Sequence, residues 1–262
     1  MTRPEFYDES YLQLLRGRDG GTPLYRMFAD HLRTLPLEKL EILDVGCGRG
    51  ELLAELLEAG ARRVTGLDFS RAAVEVAGES LAARFGMQMR ERVIEGSATD
   101  PALFAKDRFD LILMMDVVEH LPPAQLAQAL KTVRSWLAAD GRLFIHTFPT
   151  LRLHQAYRLY LKLRGHKEEL ERLDTAHCNV QTRESLSQAL AGAGLLPKRM
   201  WLQNDFTLTS SAFQNLPEGI GKRLIGWMTE RFLTWRPVVR LADRLGMAEM
   251  AQPSIYVECE KT

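Results

Sequence analysis

Cysteine is scarce in this chain: three residues in 262, Cys47, Cys178 and Cys259, too scattered for a C-x-x-C metal pattern and odd in number. No disulfide frame follows from that spacing, and the expectation is a protein of a reducing compartment, the cytoplasm. Net charge is absent too. The 34 basic residues balance 34 acidic ones, so no global field recruits nucleic acid, and none is expected as a partner. No apolar run approaches the roughly 18 residues needed to cross a bilayer. The opening residues MTRPEFYDES are polar and lack the apolar centre of a secretion signal. What is present is ordinary: 46% hydrophobic and 26% charged residues, enough for a full α/β core.

Two more absences narrow the chemistry. The stretch ILDVGCGRGE, residues 42–51, joins an apolar strand to the amphipathic helix ELLAELLEA. A dinucleotide turn, G-x-G-x-x-G, would need glycine at 51, where Glu51 stands, and a phosphate-binding P-loop would need Gly-Lys-Ser/Thr, which does not follow. A nicotinamide oxidoreductase is disfavoured on this ground. Asp44 at the strand end suits a ligand carrying ammonium or sulfonium better than one carrying pyrophosphate, and Gly46, Gly48 and Gly50 allow close approach to backbone.

Along the chain, strands alternate with helices. Thr22-Pro23 starts a helix bearing Leu24, Phe28, Leu32 and Leu35 at helical spacing. Strands are expected at 40–45, 63–68 and 92–96, then at FDLILMM (109–115), whose continuous apolar run suits a central parallel strand covered on both faces. Ser70 caps a helix to about residue 85. A helix from Pro122 to Leu137, ended by Asp140-Gly141, precedes a fifth strand, 142–147; a helix at 185–193 stops at Gly194. Strands near 198–202 and at 255–260 complete the reading. The fold class is therefore α/β: a Rossmann-like, doubly wound, mainly parallel sheet with helical insertions.

LDVGCGRGE, an acid ending the next strand in GLDFS, FDLILMMDVVEHLPP and the glycine-turned strand DGRLFIHT together resemble a class I S-adenosylmethionine-dependent methyltransferase, close to type 11/12 domains and ubiquinone-pathway O-methyltransferases. The likeness is close over 40–147 and looser over 177–202. It implies seven strands with the last antiparallel, S-adenosyl-L-methionine as cofactor and S-adenosyl-L-homocysteine as product. It divides the chain into an N-terminal helical lid (1–39), a cofactor-binding core (40–147), a helical insertion (148–182) and a C-terminal part (183–262) with its own cap insertion (204–253).

The resemblance also implies roles for individual residues. Asp44 and the Gly46 carbonyl hold the methionine ammonium, Gly48 lets sulfur and ribose lie against backbone, and Cys47 between them also borders the cofactor. Asp68 accepts the ribose hydroxyls, with a helix-capping role as the alternative, and Phe69 borders the adenine. Where the family carries G-D-A, this chain has Gly96-Ser97-Ala98. Ser97 with Ala98 then faces the adenine amino group, or Asp100 takes over. Met115 and Asp116 border the methionine part and the transferring methyl. A hydroxyl acceptor benefits from a general base, and His177, in a segment where relatives place a histidine facing the active-site mouth, is the candidate. His120 reads as structural and His146 as core. Asp116, Glu119, His120 and His177 also resemble the divalent-metal set of some relatives; a plain helix-start motif is the competing reading, and no metal is expected.

The expected partner is a small or lipid-like acceptor. Arg152–Arg164 carries four basic residues and no acid, and 220–245 carries six against Glu230 and Asp243, interleaved with aromatics, Pro237 dividing it into two helices. Such helices fit an anionic membrane surface, a cap over the core, or a homodimer contact. N-methylation, or a non-catalytic cofactor-binding subunit of the same fold, are the alternatives to O-methylation.

Overall fold

The structure, a computed structural model, describes residues 23–205, 220–228, 231 and 234–261. The expected roles of residues 1–22, including the Thr22 cap, and of 206–219, Glu230 and Phe232 lie outside the described residues.

Among the described residues seven strands form one sheet: β1 Glu41–Val45, β2 Arg63–Asp68, β3 Val93–Glu95, β4 Phe109–Met115, β5 Leu137–Thr147, β6 Leu195–Gln203 and β7 Ser254–Lys261. Their order is β3-β2-β1-β4-β5-β7-β6. The first five pair in parallel, and β7 runs antiparallel to both β5 and β6. The chain reverses direction across the sheet between β1 and β4, the switch point where open α/β sheets bind ligands beyond the strands' carboxyl ends.

Both faces of the sheet are covered, and strand residues alternate between them as the two-residue period requires. Ile42, Leu111, Leu113 and Met115 join one buried cluster with α1 (Pro23–Leu32), α2 (Glu51–Glu58) and α3 (Arg71–Phe85). Leu43, Val45, Ile112 and Met114 join the other, with α4 (Pro123–Trp136) and α7 (Arg183–Gly192). This is why FDLILMM carries no polar alternation after Asp110. Ser70 caps α3 by accepting from the Ala73 amide at 3.3 Å, and Thr182 caps α7 with a reciprocal Thr182–Ser185 pair.

Two boundaries differ from the sequence reading. The helix of residues 123–136 ends at Trp136, not at Asp140-Gly141, because Leu137 already pairs with Phe109; residues 138–141 bulge before Arg142 resumes pairing at Leu111. Pro237 does not break a helix. It lies in the first turn of α9 (Arg236–Arg244), where its missing N–H costs nothing, and α8 (Ile220–Trp227) has already ended.

The insertion after β5 forms α5 (Leu151–Arg164) and α6 (Lys167–Ala176), and the short α10 (Ala248–Ala251) leads into β7. The two insertions meet at their roots: Thr150 donates its hydroxyl to the Glu249 carbonyl at 2.6 Å and its amide to Pro253 at 2.8 Å. Both leave from the carboxyl edge of the sheet, since β5 and β6 run the same way.

Candidate active site

A cavity of about 440 Å³ opens over the ends of β1, β2 and β4, lined among others by Gly46, Cys47, Gly48, Asp68, Phe69, Ser97, Ala98, Met115 and Asp116. The structure thus brings together every residue expected to border the cofactor except Asp44, which lies one layer below on β1.

The glycine turn explains the shape. Gly46 and Gly48 have φ of 74° and 52°, a region side chains disfavour. A Cβ on Gly46 would stand 2.5 Å from Val117 Cγ2, so the turn lies directly against the loop after β4. A Cβ on Gly48 would meet nothing within 4 Å, projecting into open space beside the cavity. That is a backbone cradle left bare for a ligand. The turn is anchored from β2: the Gly46 amide donates to the Leu67 carbonyl at 2.7 Å, and the Gly48 amide to Asp68 Oδ2 at 2.9 Å.

Asp68 serves two ends at once. Its Oδ1 accepts the Ser70 amide at 2.9 Å at the start of α3, while Oδ2 holds the glycine turn. Burial raises its pKa against these amide bonds. The capping role and the place on the cavity wall therefore coexist. Asp44, 2% exposed, is pushed up to about 7, first by burial and then by Asp68. Among the described residues no cation pairs with it.

Phe69, 41% exposed, presents its ring at the cavity edge. Ser97 lines the same wall and bonds Thr99 through its hydroxyl at 2.7 Å. Asp100, the alternative at this position, instead accepts the Ala102 amide at 2.9 Å and does not line the cavity.

The histidines separate. His120 lines the cavity, whereas His177 does not. His177 stacks behind it at 5.0 Å between ring centroids, with His154 a further 5.9 Å away edge-on. Burial, then His120 and His154, push the His177 pKa down to about 3. The ring is neutral at pH 7 and poor at holding a proton. His120 Nδ1 lies 2.6 Å from the Ala176 carbonyl; a carbonyl only accepts, so Nδ1 donates there and Nε2 is left for other contacts. This contact, with the Asn179 amide on the Glu119 carbonyl (3.0 Å), Asn179 Nδ2 on the Leu121 carbonyl (2.8 Å) and Cys178 Sγ on the His120 carbonyl (3.3 Å), fastens residues 176–179 to the cavity wall.

Asp116, Glu119, His120 and His177 do not converge. Glu119 is fully buried, accepts the Thr147 hydroxyl at 2.9 Å and is pushed up to about 7, chiefly by burial. Asp116 turns to His146, its Oδ1 2.8 Å from His146 Nδ1. Among the described residues no three histidine, cysteine or acidic side chains stand so as to hold a metal.

Sequence reasoning missed Tyr25, Arg49, Thr99 and Gln125 on the cavity wall, and Asp205 behind it. Asp205 carries no motif. Its importance lies in partners 59 and about 50 residues away, His146, Ser254 and Tyr256.

Comparison with known proteins gives the same reading. A family model described as a methyltransferase domain matches residues 16–196. A ubiquinone biosynthesis O-methyltransferase of Methylobacterium nodulans is 41% identical over 92 residues, 35% of each chain. That of Actinobacillus pleuropneumoniae is 33% identical over 123 residues, 46% of this chain and 50% of the relative. The chain thus spans about a third to a half of the length of these curated relatives. Geranyl diphosphate C-methyltransferase from Streptomyces coelicolor A3(2), solved with Mg2+, geranyl diphosphate and S-adenosyl-L-homocysteine, superposes with a TM-score of 0.60 at 14% identity, over 91% of this chain and 79% of that one. It shares the fold. With the bare glycine cradle, the acids at the ends of β1 and β2 and the family match over residues 16–196, the chain belongs to the class I S-adenosylmethionine-dependent methyltransferases.

Proposed function

We propose that this methyltransferase modifies a hydroxyl group of a small or amphipathic acceptor, of glycolipid, quinone or polyketide type. When bound, S-adenosylmethionine supplies a methyl group already activated on sulfonium, which leaves the protein mainly to align and to exclude water. In this reading Asp44 and the Gly46 carbonyl receive the ammonium, and Cys47 and Gly48 present bare backbone. Asp68 accepts the ribose hydroxyls with the lone pairs its two amide bonds leave over. Phe69, Ser97 and Ala98 border the adenine, and Met115 with Asp116 border the reacting end. The proton-accepting role expected of His177 falls to the pair it forms with His120: His120 faces the cavity, and His177 is a positioning residue stacked behind it. The observation that carries the reading is the single cavity in which the glycine cradle, Asp68, Asp116 and His120 meet.

An amphipathic acceptor is favoured by the exposed face of α9, where Trp235 (60% exposed), Leu241 and Leu245 accompany Arg236, Arg240 and Arg244. The α5 helix contributes less than its composition suggests. Arg158 is paired with Asp174 at 2.6 and 2.7 Å, and Tyr157 donates to Glu169, so α6 supplies the acids that α5 lacks.

The test has two steps. S-adenosylhomocysteine should raise the melting temperature, since a ligand bound only by the native state at 100 times its Kd stabilises it by about 2.7 kcal/mol, while NAD should leave it unmoved. Cell extract incubated with labelled cofactor should then yield a labelled, solvent-extractable O-methyl product by mass spectrometry. A melt indifferent to S-adenosylhomocysteine would sink the cofactor assignment; a labelled N-methyl product would move the acceptor atom.

A further inference from the structure

Asp116, on the cavity wall, is the exposed end of a charged cluster whose other members, His146 and Asp205, the cofactor reading does not use. His146, on β5, is fully buried, and both its nitrogens face carboxylates: Nδ1 is 2.8 Å from Asp116 Oδ1, and Nε2 is 3.4 Å from Asp205 Oδ2. Asp205 is in turn fixed by the Tyr256 hydroxyl at 2.5 Å and by the Ser254 hydroxyl. Tyr256 packs on the His146 ring, centroids 4.6 Å apart, and Trp201 stacks on the other side of Tyr256 at 5.2 Å. Burying His146 and Asp205 is costly unless they are paired. Here burial alone would lower the imidazole pKa, but Asp116 and Asp205 outweigh it and hold it up at about 10. The same imidazolium keeps Asp205 below its ordinary range despite burial.

The cluster thus sets two acids against one imidazole. It reaches ligands only at Asp116, whose side chain keeps 30% exposure where it lines the cavity. Asp116 is also one of two non-glycine residues among those described with positive φ, at 56°, and its amide donates to the His146 carbonyl at 3.0 Å. A residue other than glycine persists in that conformation only where its surroundings hold it. His146 supplies these surroundings by its carbonyl, which accepts the Asp116 amide, and by its ring, whose 2.8 Å approach to Asp116 Oδ1 is a close charge contact without hydrogen-bond geometry. The other ionisable groups near this end are accounted for. Asp68 receives two backbone amides, Arg49 and Glu51 pair at 3.6 Å, Glu119 is turned into the core, and His120 donates to Ala176.

We propose that His146, clamped between Asp116 and Asp205, is a positioning residue that presents the Asp116 carboxylate to the cavity as a subsite preferring cationic over neutral ligands. This rests on the cavity being the cofactor site. Its consequence is discrimination between the two forms of that cofactor: the sulfonium donor carries one positive charge more than the thioether product. A fixed negative charge at the reacting end favours the first and helps expel the second. In a cleft with low-dielectric walls one such charge is worth considerably more than in water.

The experiment compares, by calorimetry, S-adenosylhomocysteine with sinefungin, which bears a cationic amine where the product has a neutral sulfur. In the native protein sinefungin should bind about tenfold more tightly or better, an effect on the scale of one partly desolvated charge contact. Asp116→Asn, a side chain that tolerates positive φ, should bring the two affinities to within about twofold. His146→Gln removes a positive charge beside Asp116, which by itself would enlarge the preference; lost positioning should outweigh this and shrink the preference at least about threefold. An undiminished preference in Asp116→Asn overturns the subsite, and one undiminished in His146→Gln overturns the positioning role. If neither ligand binds the native protein, the cofactor reading falls instead. Should His146→Gln fail to fold, an NMR titration of native His146 decides: an imidazole protonated beyond pH 8 supports the clamp, and one titrating near 6.5 refutes it.

Discussion

Asp68 is the residue on which the cofactor reading makes its sharpest demand. Its two oxygens already hold the glycine turn and the start of α3, so its substitution acts on the cradle as well as on any ribose contact. Asp68→Ala should weaken S-adenosylhomocysteine binding by about 1.5–3 kcal/mol, since bonds to charged groups are the stronger ones. Calorimetry on the variant checks this, and a loss smaller than about threefold would reduce Asp68 to a structural link between β2 and its neighbours. At this scale the sequence was most legible where a residue's role is local. Gly46 and Gly48 announce a strained turn, and Ser70 announces a cap, because the relevant partners lie within a few positions. His120 and Asp205 were not legible in the same way. His120 owes its place on the cavity wall to the carbonyl of Ala176, and Asp205 owes its charge to His146; no spacing rule reaches across 56 or 59 residues.

Among the elements, strands declared themselves more clearly than the joints between them. A strand buried on both faces must be apolar throughout, so β4 and residues 143–145 of β5 stand out. The bulge at 138–141 follows from pairing with β4, which leaves no local trace before Asp140-Gly141, and a glycine there reads equally as a helix stop. The basic composition of α5 misleads for a related reason, since its acids come from α6 after an intervening turn. The α9 helix has no such neutralising neighbour among the described residues. Its exposed Trp235, Leu241 and Leu245 beside three arginines should carry the protein to vesicles containing anionic lipid. Co-sedimentation should weaken as salt rises. Equal absence from anionic and neutral vesicle pellets would leave α9 as a cap on the core.

For the whole molecule, the buried charges predict how stability follows pH. His146 holds its proton to about pH 10 when folded but to about 6.5 when unfolded, so the native state binds more protons in between and loses stability as pH rises. Asp44 and Glu119, both raised to about 7, destabilise increasingly between about pH 4 and 7 and add nothing further above that. His177, held down to about 3, is neutral in both states above its unfolded value. Just above pH 7 His146 therefore dominates, and the thiols of Cys47, Cys178 and Cys259, all raised in the folded state, add a fall of the same sign as pH nears the ordinary thiol value of about 8.5. The melting temperature should fall by several degrees between about pH 7 and 8.5, and His146→Gln should flatten the fall; an equally steep decline in the variant would place its origin elsewhere.

The sheet order carries a consequence for the sequence of events in assembly. β7 is the last strand along the chain, yet it lies between β5 and β6. Until residues 254–261 leave the ribosome, β5 offers an open edge beside β4, and β6, though already synthesised, has no strand to join. Asp205 likewise waits for Ser254 and Tyr256. A nascent chain stalled short of β7 would thus expose an unpaired backbone edge next to its most apolar strands, the condition under which chains pair with one another and aggregate.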